Sequence, residues 1–82
     1  MARIYVVRGS EDGTICAGTS AAKAVHKAIE YVGSDSLPGS PEWDSRAHCL
    51  LSELRRHGHV EASYCDDDGY EVSATVEAFL GL

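Results

Sequence analysis

The chain has 82 residues, 44% of them hydrophobic, with 7 Lys and Arg against 13 Asp and Glu and a formal net charge of −6. That length predicts one domain near the lower limit for folding unaided, and the acidic balance excludes an ordinary nucleic-acid binder, which needs a basic footprint. No apolar run approaches the ~18 residues of a membrane span, and MARIYVV lacks a signal peptide's apolar stretch. Cys16, Cys49 and Cys65 have no paired spacing and read as reduced thiols, so the expected location is the cytoplasm.

Arg3-Ile4-Tyr5-Val6-Val7-Arg8 is rich in β-formers and apolar on both faces in its middle. This predicts a strand covered on both sides, either central in a sheet or with its second face on a partner. Gly9 to Gly13 reads as a turn closing on an Asp-Gly pair. Thr14-Ile15-Cys16-Ala17 is the return strand, and either loop length is compatible with its apolar positions. The GSEDGT stretch lacks the lysine of a phosphate loop, and Glu11 and Asp12 would repel phosphate.

Thr19 or Ser20 is a good N-cap for the first helix. Ala22, Val25, Ala28, Ile29 and Val32 give it an apolar stripe, opposite Lys23, His26, Lys27 and Glu30. Gly33 stands at a left-handed C-cap position. After the loop from Ser34 to Gly39, Ser40-Pro41-Glu42 opens a second helix with cap, N-terminal proline and first-turn acid. Trp43, Ala47, Leu50, Leu51 and Leu54 share one face, which predicts a core role for Trp43. Arg55-Arg56-His57 suits the negative pole of this helix, and Gly58 stops it.

From His57 onward the chain alternates in two runs hinged at Asp66-Asp67-Asp68-Gly69. Val60, Ala62 and Tyr64 on one arm, and Tyr70, Val72, Ala74, Val76 and Ala78 on the other, must fall on one face. Only a three-residue loop, Asp67-Asp68-Gly69, aligns them, pairing Tyr64 with Val72, Ala62 with Ala74 and Val60 with Val76. Gly69 then takes the left-handed position. The wet face carries Cys65 opposite Glu71, Ser63 opposite Ser73, Glu61 opposite Thr75, and His59 opposite Glu77. Tyr64 and Tyr70 have core parity, with Phe79 on the other face. The element order ββααββ predicts an α+β fold: one four-stranded antiparallel sheet with both helices on one face, in a single domain spanning residues 1–82.

No pattern here points to catalysis, a metal or a cofactor. His57, His59 and Cys65 are ligand types without zinc spacing. Cys49 beside His48 lies mid-helix, on or near the packed face, where neighbours diverge by ~100°. The three aspartates lack the full calcium-loop ligand array. Charge is the informative feature. Residues 1–56 hold seven acids and all seven Lys and Arg and sum to zero, so the whole −6 lies beyond Arg56. From His57 onward Glu61, Asp66, Asp67, Asp68, Glu71 and Glu77 stand with no Lys or Arg among them. They are the candidate partner-binding residues for a basic surface on another protein.

The RIYVVRG opening, the Asp-Gly turn and the Ser/Thr-capped AGTSAAKAVHKAI helix resemble small phage-encoded accessory proteins, in the style of anti-CRISPR proteins of type I systems. The resemblance covers about the first half of the chain and is one of fold cues. It implies a non-enzymatic inhibitor, working in the host cytoplasm, that binds the crRNA-guided surveillance complex (Cascade) and blocks recognition of target DNA. It implies neither membrane nor direct nucleic-acid contact. The alternative reading is a homo-oligomeric structural or regulatory protein that uses the second apolar face of Ile4 to Val7.

Overall fold

The structure, a computed structural model, describes residues 3–80. Strands β1 (Arg3–Gly9) and β2 (Gly13–Gly18) are followed by helices α1 (Ala21–Val32) and α2 (Pro41–His57), then by strands β3 (His59–Cys65) and β4 (Glu71–Leu80). The sheet is antiparallel throughout, in the order β2-β1-β4-β3. The ββααββ order and the α+β class are those the periodicities dictate.

Local chemistry sets the element ends. Ser20 caps α1, its Oγ accepting from the Lys23 N–H at 3.2 Å. Ser40 Oγ accepts from the Trp43 N–H at 3.3 Å, with Pro41 in the first turn and Glu42 and Asp44 beside the positive helix pole. Gly58 ends α2 in the left-handed conformation, φ 80° and ψ 0°. Gly33 ends α1 with φ 95° but ψ 166°, so the chain leaves extended, unlike the left-handed cap expected there.

The C-terminal hairpin has the register that the shared apolar face demands. Val60 faces Val76, Ala62 faces Ala74, Tyr64 faces Val72, and His59 faces Glu77. The Asp66 N–H donates to Tyr70 O at 3.0 Å, the Gly69 N–H to Asp66 O at 3.0 Å, and Gly69 has φ 84°. The N-terminal hairpin explains its own ambiguity. Val7 pairs with Cys16 but Arg8 with Thr14, so Ile15 is an extra, bulged residue.

The core lies between the sheet and the two helices. Val7, Val60, Ala62, Ala74 and Val76 from the sheet meet Val25, Ala28, Ile29, Val32, Trp43, Ala47 and Leu54. The alanines leave room for the helices to pack close to the sheet. Trp43 is only 4% exposed, and its indole N–H donates to His26 Nδ1 at 3.1 Å, so it is a core residue with a satisfied polar edge.

Four further expectations are corrected. Among the described residues no element of the chain itself covers the second face of β1: Ile4 is 40% exposed and its cross-strand neighbour Phe79 44%. The strand is central because both its edges are paired, while helices screen only one face. In α1, Ala24 is buried and Ala22 exposed, a small rotation of the stripe that five apolar positions do not fix. Cys49 is exposed, on the solvent side of α2. Tyr70 has the parity of the buried face but is 54% exposed, because it lies beyond the end of the helical layer, beside the turn.

Candidate functional site

The topology gathers three of the five connections between elements at one end of the molecule. β1 is antiparallel to β4, so the β1–β2 turn emerges beside the start of β4, where the Ser10 N–H donates to Ser73 O at 2.9 Å. β3 rises to the same end and turns at Asp66 to Tyr70. α1 climbs from β2 and α2 descends to β3, which leaves the loop between them at that end as well. These loops carry Glu11, Asp12, Asp35, Asp66, Asp67 and Asp68 and no Lys or Arg. The opposite end holds Arg3, Arg55 and Arg56 around Phe79 and Leu80. The molecule is polarised along its strands.

Two tyrosines fix the acidic loops to the body. Tyr31, near the end of α1, donates its O–H to Asp12 Oδ2 at 3.0 Å and accepts the Glu11 N–H at 3.3 Å. Gly9 makes this possible: a Cβ there would come within 2.3 Å of the Tyr31 ring. Tyr64, on β3, donates to Asp35 Oδ1 at 2.6 Å, tying the interhelical loop to the C-terminal hairpin. Both phenols titrate above the ordinary tyrosine value. Burial is the main cause for Tyr31, and the bond to Asp35 for Tyr64, with burial and the negative charges of Asp35, Asp67 and Asp66 adding to it. Arg46, the cation on this side of α2, spends its guanidinium on the Gly33 and Ser63 carbonyls at 3.2 and 2.8 Å. It clamps helix, loop and strand together.

The six acids singled out by sequence divide into three kinds. Asp67 and Asp68 are exposed at the hairpin tip, with Glu71 just below on the open sheet face. Asp66 is exposed too, but its Oδ1 accepts the Asp68 N–H at 3.0 Å and the Tyr70 N–H at 2.9 Å. This is a turn-building role. Glu61 and Glu77 stand on the open face away from the tip, Glu61 about 13 Å below Cys65 at strand rise. Glu77 is half-buried, and Arg8 lies beside it at 3.4 Å. The structure therefore separates the tip from the face, and it adds Glu11, Asp12 and Asp35 to the tip. The signal for Glu11 and Asp12 lay in strand order, since only the β1–β4 pairing brings the two hairpin tips together, and that for Asp35 lay in the packing of the interhelical loop on Tyr64.

The histidine and cysteine candidates do not converge. His57 and His59 have ring centroids 6.4 Å apart. Cys65 is six residues along β3 from His59, about 20 Å at strand rise. Among the described residues no group of three metal-ligating side chains forms, and no helix is long and apolar enough to cross a membrane. Comparison with known proteins finds no matching family model, curated protein or solved structure.

Proposed function

We propose that this protein is a non-enzymatic binding module whose acidic end occupies a basic, nucleic-acid-receiving surface on a partner protein. One observation carries the reading: three separate loops converge at one end with six carboxylates and no Lys or Arg. A groove that receives DNA presents Lys and Arg at the spacing of phosphates. Carboxylates held on short, fixed loops attract such a groove and exclude the duplex by overlap. The charge sets mainly the encounter rate and its salt dependence, and apolar contacts at the rim set the lifetime. Tyr70 and Leu37, both exposed at this end, are the side chains suited to that second task.

The resemblance to type I anti-CRISPR proteins supplies the specific partner, a Cascade surveillance complex in a host cytoplasm. The contacts are Asp67, Asp68 and Glu71, joined by Asp35, Glu11 and Asp12, with Glu61 at the margin. Asp66 shapes the loop, and Glu77 has Arg8 beside it. The test is competition: a purified type I surveillance complex is titrated with labelled target duplex in the presence and absence of the protein. Binding to the complex and loss of duplex capture are expected together, weakening as salt shortens the Debye length to ~8 Å at physiological ionic strength. Duplex capture that is unaffected at every salt concentration refutes this partner.

A further inference from the structure

We infer that the β2 edge is a self-association surface, on which a second copy of the chain pairs antiparallel to form a two-fold dimer with one continuous eight-stranded sheet. This goes beyond the acidic-end reading and does not depend on it. The sheet has two open edges, and they differ in chemistry. β3 carries His59 and Glu61 along its length, so two β3 strands paired antiparallel about their centre would set the two glutamates diagonally across the seam on one face. β2, Gly-Thr-Ile-Cys-Ala-Gly, has no charge and no proline along its six residues, and Ile15 is exposed on it. Natural edges are blunted by charge, proline, short length or a bulge. This one has neither charge nor proline, and its bulge at Ile15 leaves residues 16–18 in regular register with β1.

Polarity selects the occupant and its direction. Parallel pairing would set acidic end beside acidic end. Antiparallel pairing sets the Glu11–Asp12 turn of one copy beside the β2–α1 junction of the other. That junction borders a groove of about 310 Å³ between β2 and α1, with Lys23 and Lys27 on its walls. Tyr31 draws Glu11 and Asp12 toward the helical layer, the side from which both lysines project. A two-fold perpendicular to the sheet keeps both helical layers on one side, so each acidic turn meets the other copy's lysine groove. The arrangement is closed: once the β2 edges are used, only the charged β3 edges remain. Six residues make a short interface, so the dimer is reversible.

The test uses the full chain in sedimentation equilibrium from low-micromolar to millimolar concentration, with amide exchange measured at both extremes. A monomer–dimer equilibrium is expected, with β2 amides gaining protection only at high concentration. Ile15→Lys should abolish the dimer while leaving the circular dichroism spectrum unchanged. Glu11→Lys with Asp12→Lys should weaken it about tenfold or more, and adding Lys23→Glu with Lys27→Glu should restore it. A wild-type chain monomeric at millimolar concentration overturns the inference and leaves the edge to a foreign strand. A dimer whose β2 amides gain no protection overturns it equally, and moves the contact to the open face around Ile4 and Phe79.

Discussion

Charge reversal at the tip separates a binding surface from a solvated one, and the structure dictates which residues to reverse. Asp66 must stay, because its Oδ1 holds the Asp68 and Tyr70 N–H groups at 3.0 and 2.9 Å. Asp67→Lys, Asp68→Lys and Glu71→Lys alter exposed side chains that accept no hydrogen bond from the described residues. Each exposed charge contributes about 0.5 kcal/mol to a partner contact, and reversal counts twice, by losing attraction and adding repulsion. Three reversals therefore amount to about 3 kcal/mol, or roughly 150-fold in affinity. Surface substitutions of this kind change stability by about 0.5 kcal/mol each at most, so the fold survives. The assay is calorimetric titration against the surveillance complex at low and physiological salt, with the urea midpoint as control. Asp66→Ala serves as the opposite control: it costs about 1–2 kcal/mol of turn stability and removes only one charge. An unchanged affinity and salt slope in a folded triple variant would falsify the acidic-end reading.

Further expectations concern the frame that holds the loops. Leu54 is 1% exposed, so Leu54→Ala should cost about 2–5 kcal/mol, read as a lower urea midpoint at unchanged slope; a loss below about 1 kcal/mol would mean the core collapses around the cavity. The Tyr64 phenol, held neutral first by Asp35, contributes stability that is complete below the ordinary value of ~10 and vanishes as pH rises through its higher folded value. Tyr64→Phe should remove that part of the alkaline unfolding profile, and an identical profile would contradict the Asp35 contact. Repulsion among the loop carboxylates is screened by salt, so the thermal midpoint should rise from low to physiological ionic strength, and less so in the triple reversal. A midpoint equally salt-sensitive in both proteins would place the repulsion elsewhere.

The parts of this fold legible in the sequence were those set by short-range rules. The register of β3 with β4 followed from alternation plus one glycine, because a single slip would have moved Tyr64, Ala62 and Val60 to the wet face. The second helix start was legible from Ser40-Pro41-Glu42, and the first to within one residue, Thr19 or Ser20. The β1–β2 register was not, since the bulge at Ile15 has no turn residue to announce it. Nor was the fate of Asp66 and Glu77. Whether a carboxylate caps a turn, faces an arginine or stands in water depends on contacts across loops and strands, and alternation fixes only its face. Tyr31 showed the largest gap. Its role needs Gly9 beneath the ring and Asp12 at its oxygen, three positions spread over 22 residues that meet only when α1 packs across the β1–β2 turn.

Strand order is the step that turns composition into a surface. Along the chain the acids look like a property of the last 26 residues, and the first 56 look neutral. Pairing β1 with β4 folds that linear division into a spatial one. It sends Glu11 and Asp12 to join the C-terminal aspartates and leaves Arg3 at the other end, while the helix pair delivers Asp35 to the acidic end and Arg55 and Arg56 to the opposite one. Like charges gathered in this way oppose folding, and a fold of this size has only about 4–12 kcal/mol of net stability from which to offset the repulsion. Solubility alone does not need the arrangement, because the same carboxylates spread over the open face and the helices would keep the chain equally soluble at lower repulsion. What concentration at one end adds is a directed field, strongest where three anchored loops project from a rigid sheet. On the proposed reading such a field acts on a partner at encounter and orients it, and the two tyrosines and Arg46 keep its sources in place.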